Sequence, residues 1–328
     1  MSADRPTTRR SVNGVELDVV EAGDPNDPAV VLLHGFPESA YSWRHQIQPL
    51  ADAGYHVLAP DQRGYGRSSA PTDVASYRVD HLAGDIVGLL EATGHDDAAV
   101  VGHDWGALVL WDFARLHPER VRTAVAVSVP YTPWPAPPTE VFKALMGDRF
   151  FYILYFQEVG PAEAEFEADI ERTMRAFLWS ASGEGVPDTP PEPITAAGHG
   201  MFDALGPTPD ELPAWLTEED LAAYVDSFEA SGFFGPVSWY RNFDANWALV
   251  KDRPFPDIPT GFIAGTRDIV IANRPGYVES MDTILPDHRW SVLLDGIGHW
   301  TQQEAPAEFT AALVAMLRDL DPAPASSR

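Results

Sequence analysis

Short apolar runs alternate with amphipathic segments along the first 130 residues. The runs at residues 30–33, 57–59, 98–101 and 124–129 are almost continuously apolar and have the length of strands. Residues 79–92 place leucines and an isoleucine on one face at helical spacing. Near-continuous apolar strands separated by helices are typical of parallel sheets that are buried on both faces. The pattern therefore predicts an α/β fold with a mostly parallel central sheet and helices on both faces.

A proline-rich hinge follows residue 129, and residues 131–250 then show helical patterns without a convincing strand. The predicted elements of this stretch are helices at 141–156 and 162–179, a helix that opens at the capping box of residues 217–220, and loops at 187–193 and 206–213. A change of this kind inside an α/β pattern indicates an inserted helical segment.

Strand patterns return at residues 260–264 and 290–294, and an amphipathic helix at 305–320 closes the predicted fold. The sequence therefore predicts a core in two parts, residues 1–130 and 251–328, with the helical stretch 131–250 between them. Because open α/β sheets bind ligands at the carboxyl ends of their strands, we interpret the insertion as a lid over that edge.

Composition and charge narrow the classes of function. The chain has 328 residues, of which 45% are hydrophobic, so it can bury a substantial core. A net charge of -27 argues against a nucleic-acid partner, and the absence of cysteine excludes disulfides, thiolate catalysis and thiolate zinc sites. No apolar run approaches the ~20 residues of a membrane span, and residues 1–10 are polar. We expect no membrane span and a cytoplasmic location; a homodimer stays open.

The most informative motif is Gly-His-Asp-Trp-Gly at residues 102–106, between an apolar run and a helical pattern. This is the strand–turn–helix setting of a nucleophile elbow, in which glycines permit a tight turn and the central residue is exposed at its tip. The tip is Asp104. A carboxylate is ionised at neutral pH without a base, and it suits displacement at an sp3 carbon, which gives an alkyl ester on the enzyme. The motif predicts epoxide opening, dehalogenation or closely related chemistry.

Two further residues complete a candidate triad. Where such an elbow occurs, the acid and then the histidine follow the nucleophile, each after a strand. Asp268 and His299 stand in that order after the last two predicted strands. The oxyanion hole needs the backbone N–H after the nucleophile, here that of Trp105, and one from an early loop, here that of Phe36.

Other polar residues near these motifs are interpreted as structural. His34 lies beside Phe36 in the early loop, and we expect it to hold that loop in place. His103 precedes Asp104, and on so tight a turn its side chain should point away from the nucleophile. Residues 61–64 are predicted to form a turn near the pocket, without a chemical role.

These motifs resemble the α/β-hydrolase superfamily, and within it the soluble epoxide hydrolases, over about residues 17–317. The early loop and the elbow are shared with some dehalogenases, but two lid segments are more specific: Phe-Tyr-Ile-Leu-Tyr-Phe-Gln at 151–157 and Trp-Tyr-Arg-Asn at 239–242. In that family a tyrosine from each segment hydrogen-bonds the epoxide oxygen. By position these are Tyr152 and Tyr240, with Tyr155 as the rival of Tyr152.

The resemblance implies a cofactor-independent and metal-free epoxide hydrolase that acts on a small apolar epoxide. The alkoxide released by ring opening needs a proton, which a tyrosine can donate. Phe36, Trp105, Tyr155 and Trp179 are the candidates for the apolar substrate-binding wall. The larger animal members carry an extra N-terminal phosphatase domain, for which this chain has no room, so only the hydrolase activity is implied.

The sequence is also compatible with two other functions. A haloalkane dehalogenase uses the same Asp104 nucleophile, and the Trp105 indole could hold a halide. The second halide donor expected in the early loop is lacking, however, because Phe36 has no side-chain donor. A non-catalytic ligand receptor on this scaffold could retain the whole triad, and only turnover would distinguish it.

Overall fold

An eight-stranded sheet forms the centre of the computed structural model, which describes residues 7–189, 192–272 and 274–321. The strands are β1 (Thr7–Val12), β2 (Val15–Ala22), β3 (Ala29–Leu33), β4 (His56–Pro60), β5 (Ala98–His103), β6 (Val121–Val127), β7 (Thr260–Gly265) and β8 (His288–Leu294). Their order is β1-β2-β4-β3-β5-β6-β7-β8. Every pair from β4 to β8 in that order is parallel, and only the pairs that involve β2 are antiparallel. The predicted mostly parallel sheet is confirmed.

The edge hairpin formed by β1 and β2 was not predicted. Its strands are partly exposed and carry polar residues, whereas β3, β4 and β5 are buried along their whole length. The two residues between the strands are Asn13 and Gly14, both with positive φ. An Asn-Gly pair is the favoured two-residue hairpin turn, so this dipeptide was the available sequence signal.

Fourteen α-helices are described. They are α1 (Ile47–Asp52), α2 (Val79–Thr93), α3 (Trp105–Leu116), α4 (Pro138–Met146), α5 (Tyr152–Tyr155), α6 (Pro161–Glu167), α7 (Ile170–Ser180), α8 (Met201–Leu205), α9 (Glu218–Ser231), α10 (Phe234–Arg241), α11 (Phe243–Val250), α12 (Met281–Ile284), α13 (Thr301–Glu304) and α14 (Pro306–Leu320). Of these, α4 to α11 lie between β6 and β7 in the chain.

Helices cover both faces of the sheet, as predicted. Side chains alternate along the central strands, so that Val31 and Val100 pack in one cluster with α2 and α3. Val30 and Val101 point to the other face and pack with α1 and α14. The strands are therefore buried on both sides, which explains their continuous apolar runs.

The predicted lid helices differ from those observed. The helix expected at 141–156 is two helices, α4 and α5, because the chain turns at Gly147, whose φ is +62°, and Arg149 then pairs with Thr195. The helix expected at 162–179 is also interrupted, because Asp169 caps a new helix, α7, by accepting from the N–H of Arg172 at 3.0 Å. Three helices of this stretch, α8, α10 and α11, were not predicted.

The capping box at the start of α9 is confirmed. The Thr217 hydroxyl accepts from the Asp220 N–H at 3.1 Å, and the Asp220 carboxylate accepts from the Thr217 N–H at 2.9 Å. The expected strand at 124–129 instead spans Val121–Val127. The division into a two-part core and a lid stays a prediction.

Parts of three predicted segments lie outside the described residues, namely residues 1–6 of the polar start, residues 190–191 of the 187–193 loop, and residues 273 and 322–328 of the second core part. Within the described part of the chain, no helix combines the length and the apolar character needed to cross a bilayer.

Candidate active site

The elbow places Asp104 between the end of β5 and the start of α3. Its backbone has φ +51° and ψ −114°, a conformation that residues with a side chain rarely adopt. The turn requires its two glycines, because a Cβ on Gly102 would lie 2.2 Å from the Gly106 carbonyl oxygen, and one on Gly106 would lie 2.1 Å from the Leu33 carbonyl oxygen. The motif therefore folds as the sequence predicts, with a carboxylate at its tip.

Hydrogen bonds orient the Asp104 carboxylate. Its Oδ1 accepts from the Phe36 N–H at 2.9 Å, and its Oδ2 lies 3.4 Å from His299 Nε2. Gly35 permits this approach, since a Cβ there would lie 2.4 Å from the Asp104 Cβ. Burial alone would raise the pKa of Asp104, but the hydrogen bond and charge of His299 outweigh it and hold this pKa below its usual value. Asp104 is therefore an ionised, desolvated carboxylate.

His299 links Asp104 to Asp268. Its Nδ1 donates to Asp268 Oδ1 at 3.0 Å, and the same oxygen accepts from the Val270 N–H at 2.9 Å. Burial alone would lower the pKa of His299, but the charge of Asp268 and the hydrogen bonds to both carboxylates hold this pKa well above its usual value. The three residues predicted from the sequence are thus brought together in the order nucleophile, histidine and acid.

His103 supports the site from behind. Its Nδ1 lies 2.7 Å from Glu38 Oε2 and its Nε2 lies 2.8 Å from the His299 carbonyl oxygen, so its ring points away from the cavity, as expected. Glu38 also accepts from the Gly35 N–H at 3.0 Å and from Gln303 Nε2 at 2.8 Å. This buried network joins the early loop, the elbow and the histidine loop.

His34 has the structural role that the sequence suggested. Its Nε2 accepts from the Gln62 N–H at 3.1 Å, and the Gln62 side chain donates to the His34 carbonyl oxygen at 2.7 Å. Because Nε2 is an acceptor, Nδ1 carries the proton and donates to the Gly35 carbonyl oxygen at 2.9 Å. Burial lowers the pKa of His34 to about 4. His34 is therefore a neutral residue that fixes the early loop.

Sequence reasoning missed Glu304, which holds the histidine loop. Its carboxylate accepts from the N–H groups on both sides of His299, those of Gly298 and Trp300, each at 3.0 Å. It also accepts from the Gly183 N–H at 2.8 Å, from the chain that follows α7. The available signal was an acidic residue five positions after the candidate histidine, which has little weight by itself.

The two predicted lid tyrosines face the nucleophile. Tyr152 begins α5 and Tyr240 lies near the end of α10, with their ring centroids 5.8 Å apart. Both line the same cavities as Asp104. Burial and the charge of Asp104 raise the pKa of both phenols above the usual value. They are therefore neutral hydrogen-bond donors at physiological pH.

Two other predicted lid residues are not brought to the cavities. The Tyr155 hydroxyl donates to Glu165 Oε2 at 2.8 Å, because the next positions of α5 turn away from the nucleophile. Trp179 lies at the end of α7 and packs against Gly185. Neither is among the described residues that line the cavities at Asp104. Phe36 and Trp105 do line them, one in each.

Two mainly apolar cavities of about 250 and 280 Å³ meet at the nucleophile. The first extends along α3, and the second extends toward Phe177, Met201 and Trp300. Their shared residues are Asp104, Phe151, Tyr152, Tyr240, Ile269 and Val270. The site can therefore hold an apolar molecule with its reacting centre at Asp104 and a substituent on either side.

Comparisons with known proteins agree with this architecture. A family model described as alpha/beta hydrolase fold matches residues 28–165. The chain is 48% identical to Epoxide hydrolase A of Mycobacterium tuberculosis over 96% of this chain and 98% of the relative. It is 38% identical to Epoxide hydrolase B of the same organism, over 91% and 94% of the two chains.

Solved structures give the same result. The crystal structure of Epoxide Hydrolase A from Mycobacterium thermoresistibile matches with a TM-score of 0.88 and 48% identity, over 96% of this chain and 98% of that one. An epoxide hydrolase from an endophytic Streptomyces matches with a TM-score of 0.89 and 37% identity, over 97% of both chains. The chain belongs to the epoxide hydrolase family of the α/β hydrolases.

Proposed function

We propose that this protein converts an epoxide and water to a vicinal diol through a covalent ester on Asp104. The observation that carries the proposal is that a desolvated, ionised carboxylate and two neutral phenols line one mainly apolar cavity. A nucleophile and an acid on opposite sides of a small ring are what epoxide opening requires.

In the first step, an oxygen of Asp104 forms a bond to a ring carbon while the ring C–O bond breaks. The electron pair of that bond goes to the epoxide oxygen, and Tyr152 or Tyr240 transfers its proton there. The products of the step are a hydroxyalkyl ester and a tyrosinate. The raised pKa of each phenol keeps the donor protonated until the alkoxide, a much stronger base, develops.

In the second step, His299, which its raised pKa makes a cation in the resting enzyme, gives its proton to the tyrosinate. It then removes a proton from water, and the resulting hydroxide attacks the ester carbonyl carbon of Asp104. His299 becomes a suitable base because esterification removes the negative charge of Asp104, which raised its pKa. The Phe36 N–H, already 2.9 Å from Asp104 Oδ1, and the Trp105 N–H hold the oxyanion. When the acyl C–O bond breaks, its electron pair goes to the alkyl oxygen, which takes a proton from the newly added hydroxyl, so the diol leaves and Asp104 is a carboxylate again. His299 keeps the proton taken from water, which restores its resting state.

The test is a single turnover in heavy-oxygen water with the enzyme in excess. The first diol should carry an unlabelled oxygen from Asp104, and the label should remain in the carboxylate, where peptide mass analysis would find it. Label that appears directly in the first diol would mean that water itself attacks the epoxide, and the ester mechanism would be rejected.

Haloalkane dehalogenation uses the same nucleophile but needs different donors. A halide leaves without a proton and is held by N–H groups, whereas the groups facing Asp104 from the lid are two phenols. The Phe36 side chain also has no donor to offer. We therefore expect diol formation from epoxides to exceed halide release from simple haloalkanes, and any turnover would exclude a purely receptor function.

A further inference from the structure

The first cavity is bounded on one side by the elbow helix α3. Trp105, Leu108 and Val109 line it near the nucleophile, and Asp112 lines it one turn further on. Helical spacing puts these positions on one face. Asp112 lies eight residues after Asp104, which corresponds to about 12 Å along the helix axis. An apolar channel thus runs from the nucleophile to a second carboxyl group.

The cation beside Asp112 is the Arg115 guanidinium, which already hydrogen-bonds backbone carbonyl oxygens. Arg115 donates through Nε and Nη2 to the Arg253 carbonyl oxygen at 3.0 and 2.8 Å, and through Nη2 to the Val250 carbonyl oxygen. Its Nη1 remains 3.5 Å from Asp112 Oδ1, which is too long for a strong hydrogen bond. Among the described residues, Arg115 is the one polar group that approaches the Asp112 side chain.

The Asp112 side chain retains 21% of its surface exposed. Burial raises the pKa of Asp112 to about 7, against the opposing effect of Arg115. Near neutral pH much of this group is therefore a carboxylic acid, which can both donate and accept a hydrogen bond. A polar side chain that is short of partners at the end of an apolar channel is a natural place for a ligand's polar group.

We propose that Asp112 is a specificity-determining residue that hydrogen-bonds a hydroxyl group at the end of one apolar arm of the substrate. The inference rests on the epoxide hydrolase function proposed above and adds a substrate class, epoxides whose long arm ends in an uncharged hydroxyl. Arg115, Lys251 and Arg274 line the same cavity and disfavour an ammonium group, and the ionised fraction of Asp112 disfavours an anion. The arm must span up to about 12 Å between Asp104 and Asp112. At roughly 1.2 Å per bond of an extended chain, this corresponds to an arm of about six to ten atoms.

The experiment compares pairs of terminal epoxides that differ only at the end of a straight arm, methyl against hydroxyl, with arms of about four to twelve atoms. On a short arm the hydroxyl faces Leu108 and Val109. It should then lower kcat/KM, because the hydroxyl gives up its hydrogen bonds to water and finds no hydrogen-bond partner in the protein. When the arm reaches Asp112, the hydroxyl should instead raise kcat/KM by about tenfold. The supporting result is this change of sign along the series.

Three variants assign the effect to the residue. Asp112→Leu should abolish the gain at long arms, whereas Asp112→Asn should keep most of it, because an amide also donates and accepts. Asp252→Asn is the matched control, since Asp252 is next to the cavity residue Lys251 but has a side chain that is 90% exposed. This variant should leave the ratio of kcat/KM for the hydroxyl-ended and methyl-ended epoxides unchanged.

The outcomes separate this proposal from the function on which it rests. Conversion of the short methyl-ended epoxides tests the hydrolase function alone. If those are converted but the hydroxyl lowers kcat/KM at every length, or if its gain persists in Asp112→Leu, the subsite is rejected. An arm that ends in a carboxylate or an ammonium group and is preferred over the hydroxyl would also overturn the assignment.

Discussion

The core side and the lid side of the active site are held in different ways. On the core side, the charged groups are fixed by directed hydrogen bonds from the backbone, such as Phe36 N–H to Asp104 and Val270 N–H to Asp268. On the lid side, Tyr240 packs edge-to-face against Trp105 and Phe156, in each case with ring centroids 4.9 Å apart. A buried charge requires several hydrogen bonds, whereas a neutral phenol can be positioned mainly by the packing of its ring, to which Tyr240 adds one hydrogen bond with Trp105.

This difference has a consequence for substitutions. Removing a group on the core side should change the charge balance and stop a particular step. Removing a lid hydroxyl while keeping its ring should retain the packing, so the main loss is that of proton donation, together with one hydrogen bond to Trp105 in the case of Tyr240.

The largest effect is expected for His299. His299→Gln should still form the ester, because Asp104 needs no base, but it should then stall, with turnover reduced by about 10⁴-fold or more. Intact-protein mass spectrometry should show an adduct with the mass of the substrate, and Asp104→Ala should show none. A His299→Gln enzyme that gives neither a burst nor an adduct would contradict the role assigned to the histidine.

The lid side is tested by Tyr152→Phe and Tyr240→Phe. Each single variant should slow ester formation moderately, because the other phenol remains, and the double variant should slow it by about 10²–10⁴-fold. Rapid-mixing kinetics should place the loss in ester formation and not in ester hydrolysis, because the alkoxide expelled from the ester takes its proton from the newly added hydroxyl of the carboxyl group and not from a phenol. An unchanged rate of ester formation in the double variant would remove both tyrosines from the mechanism.

Stability should depend on pH through His34. Its folded pKa of about 4 lies below the unfolded value of about 6.5, so the unfolded state binds more protons between these values. The stability that neutral His34 contributes to the folded state is therefore fully present above pH 6.5 and is lost as the pH falls toward 4. The free energy of unfolding should fall by about 2 kcal/mol between pH 7 and pH 5.

Urea unfolding of the wild type and of His34→Asn at both pH values would measure this contribution. The variant should be less stable at pH 7, because the bonds of the early loop are lost, but its stability should fall less on acidification. Replacement of the partly exposed His117 by Gln is the control and should leave the pH dependence of the wild type. If the free energy of unfolding fell equally with pH in His34→Asn and in the wild type, His34 would not be the cause of the pH dependence.

Glu304 should affect the two steps unequally. Glu304→Gln replaces one acceptor oxygen with an amide donor opposite backbone N–H groups, so the loop that carries His299 should lose its fixed position. We expect ester hydrolysis to slow by about tenfold while ester formation is nearly unchanged. Pre-steady-state kinetics distinguish a slower hydrolysis step from a general loss of folded enzyme, because such a loss would lower the amplitudes of ester formation and ester hydrolysis together.

The difference between predicted and unpredicted residues has a physical basis. Asp104, Asp268 and His299 each follow a strand, and the ends of parallel strands converge, so local pattern was enough to bring them together. Glu304 and Asp112 carry no local signal, because their importance depends on which N–H groups or cavity they meet after folding. The same holds for the edge hairpin β1–β2, whose partly exposed strands lack a continuous apolar run.

The lid was predicted less well because its helices are short and depend on packing. A single glycine with positive φ, Gly147, was enough to divide the helix expected at 141–156. That division also starts α5 at Tyr152, and it decides which tyrosine of the segment faces the cavity. Sequence spacing alone could not separate Tyr152 from Tyr155.

The smallest effect is expected at Tyr155, the matched control for the lid tyrosines. Its hydroxyl donates to Glu165, which also accepts from the N–H groups of Met201 and Phe202 at the start of α8. Tyr155→Phe should therefore lower the free energy of unfolding by about 1 kcal/mol and change the rate of ester formation by less than about twofold. Because Tyr155 and Tyr152 lie three residues apart in one short helix, a general disturbance of α5 would affect both variants alike. A loss of ester formation in Tyr155→Phe as large as that in Tyr152→Phe would show that lid packing, and not proton donation, controls the first step.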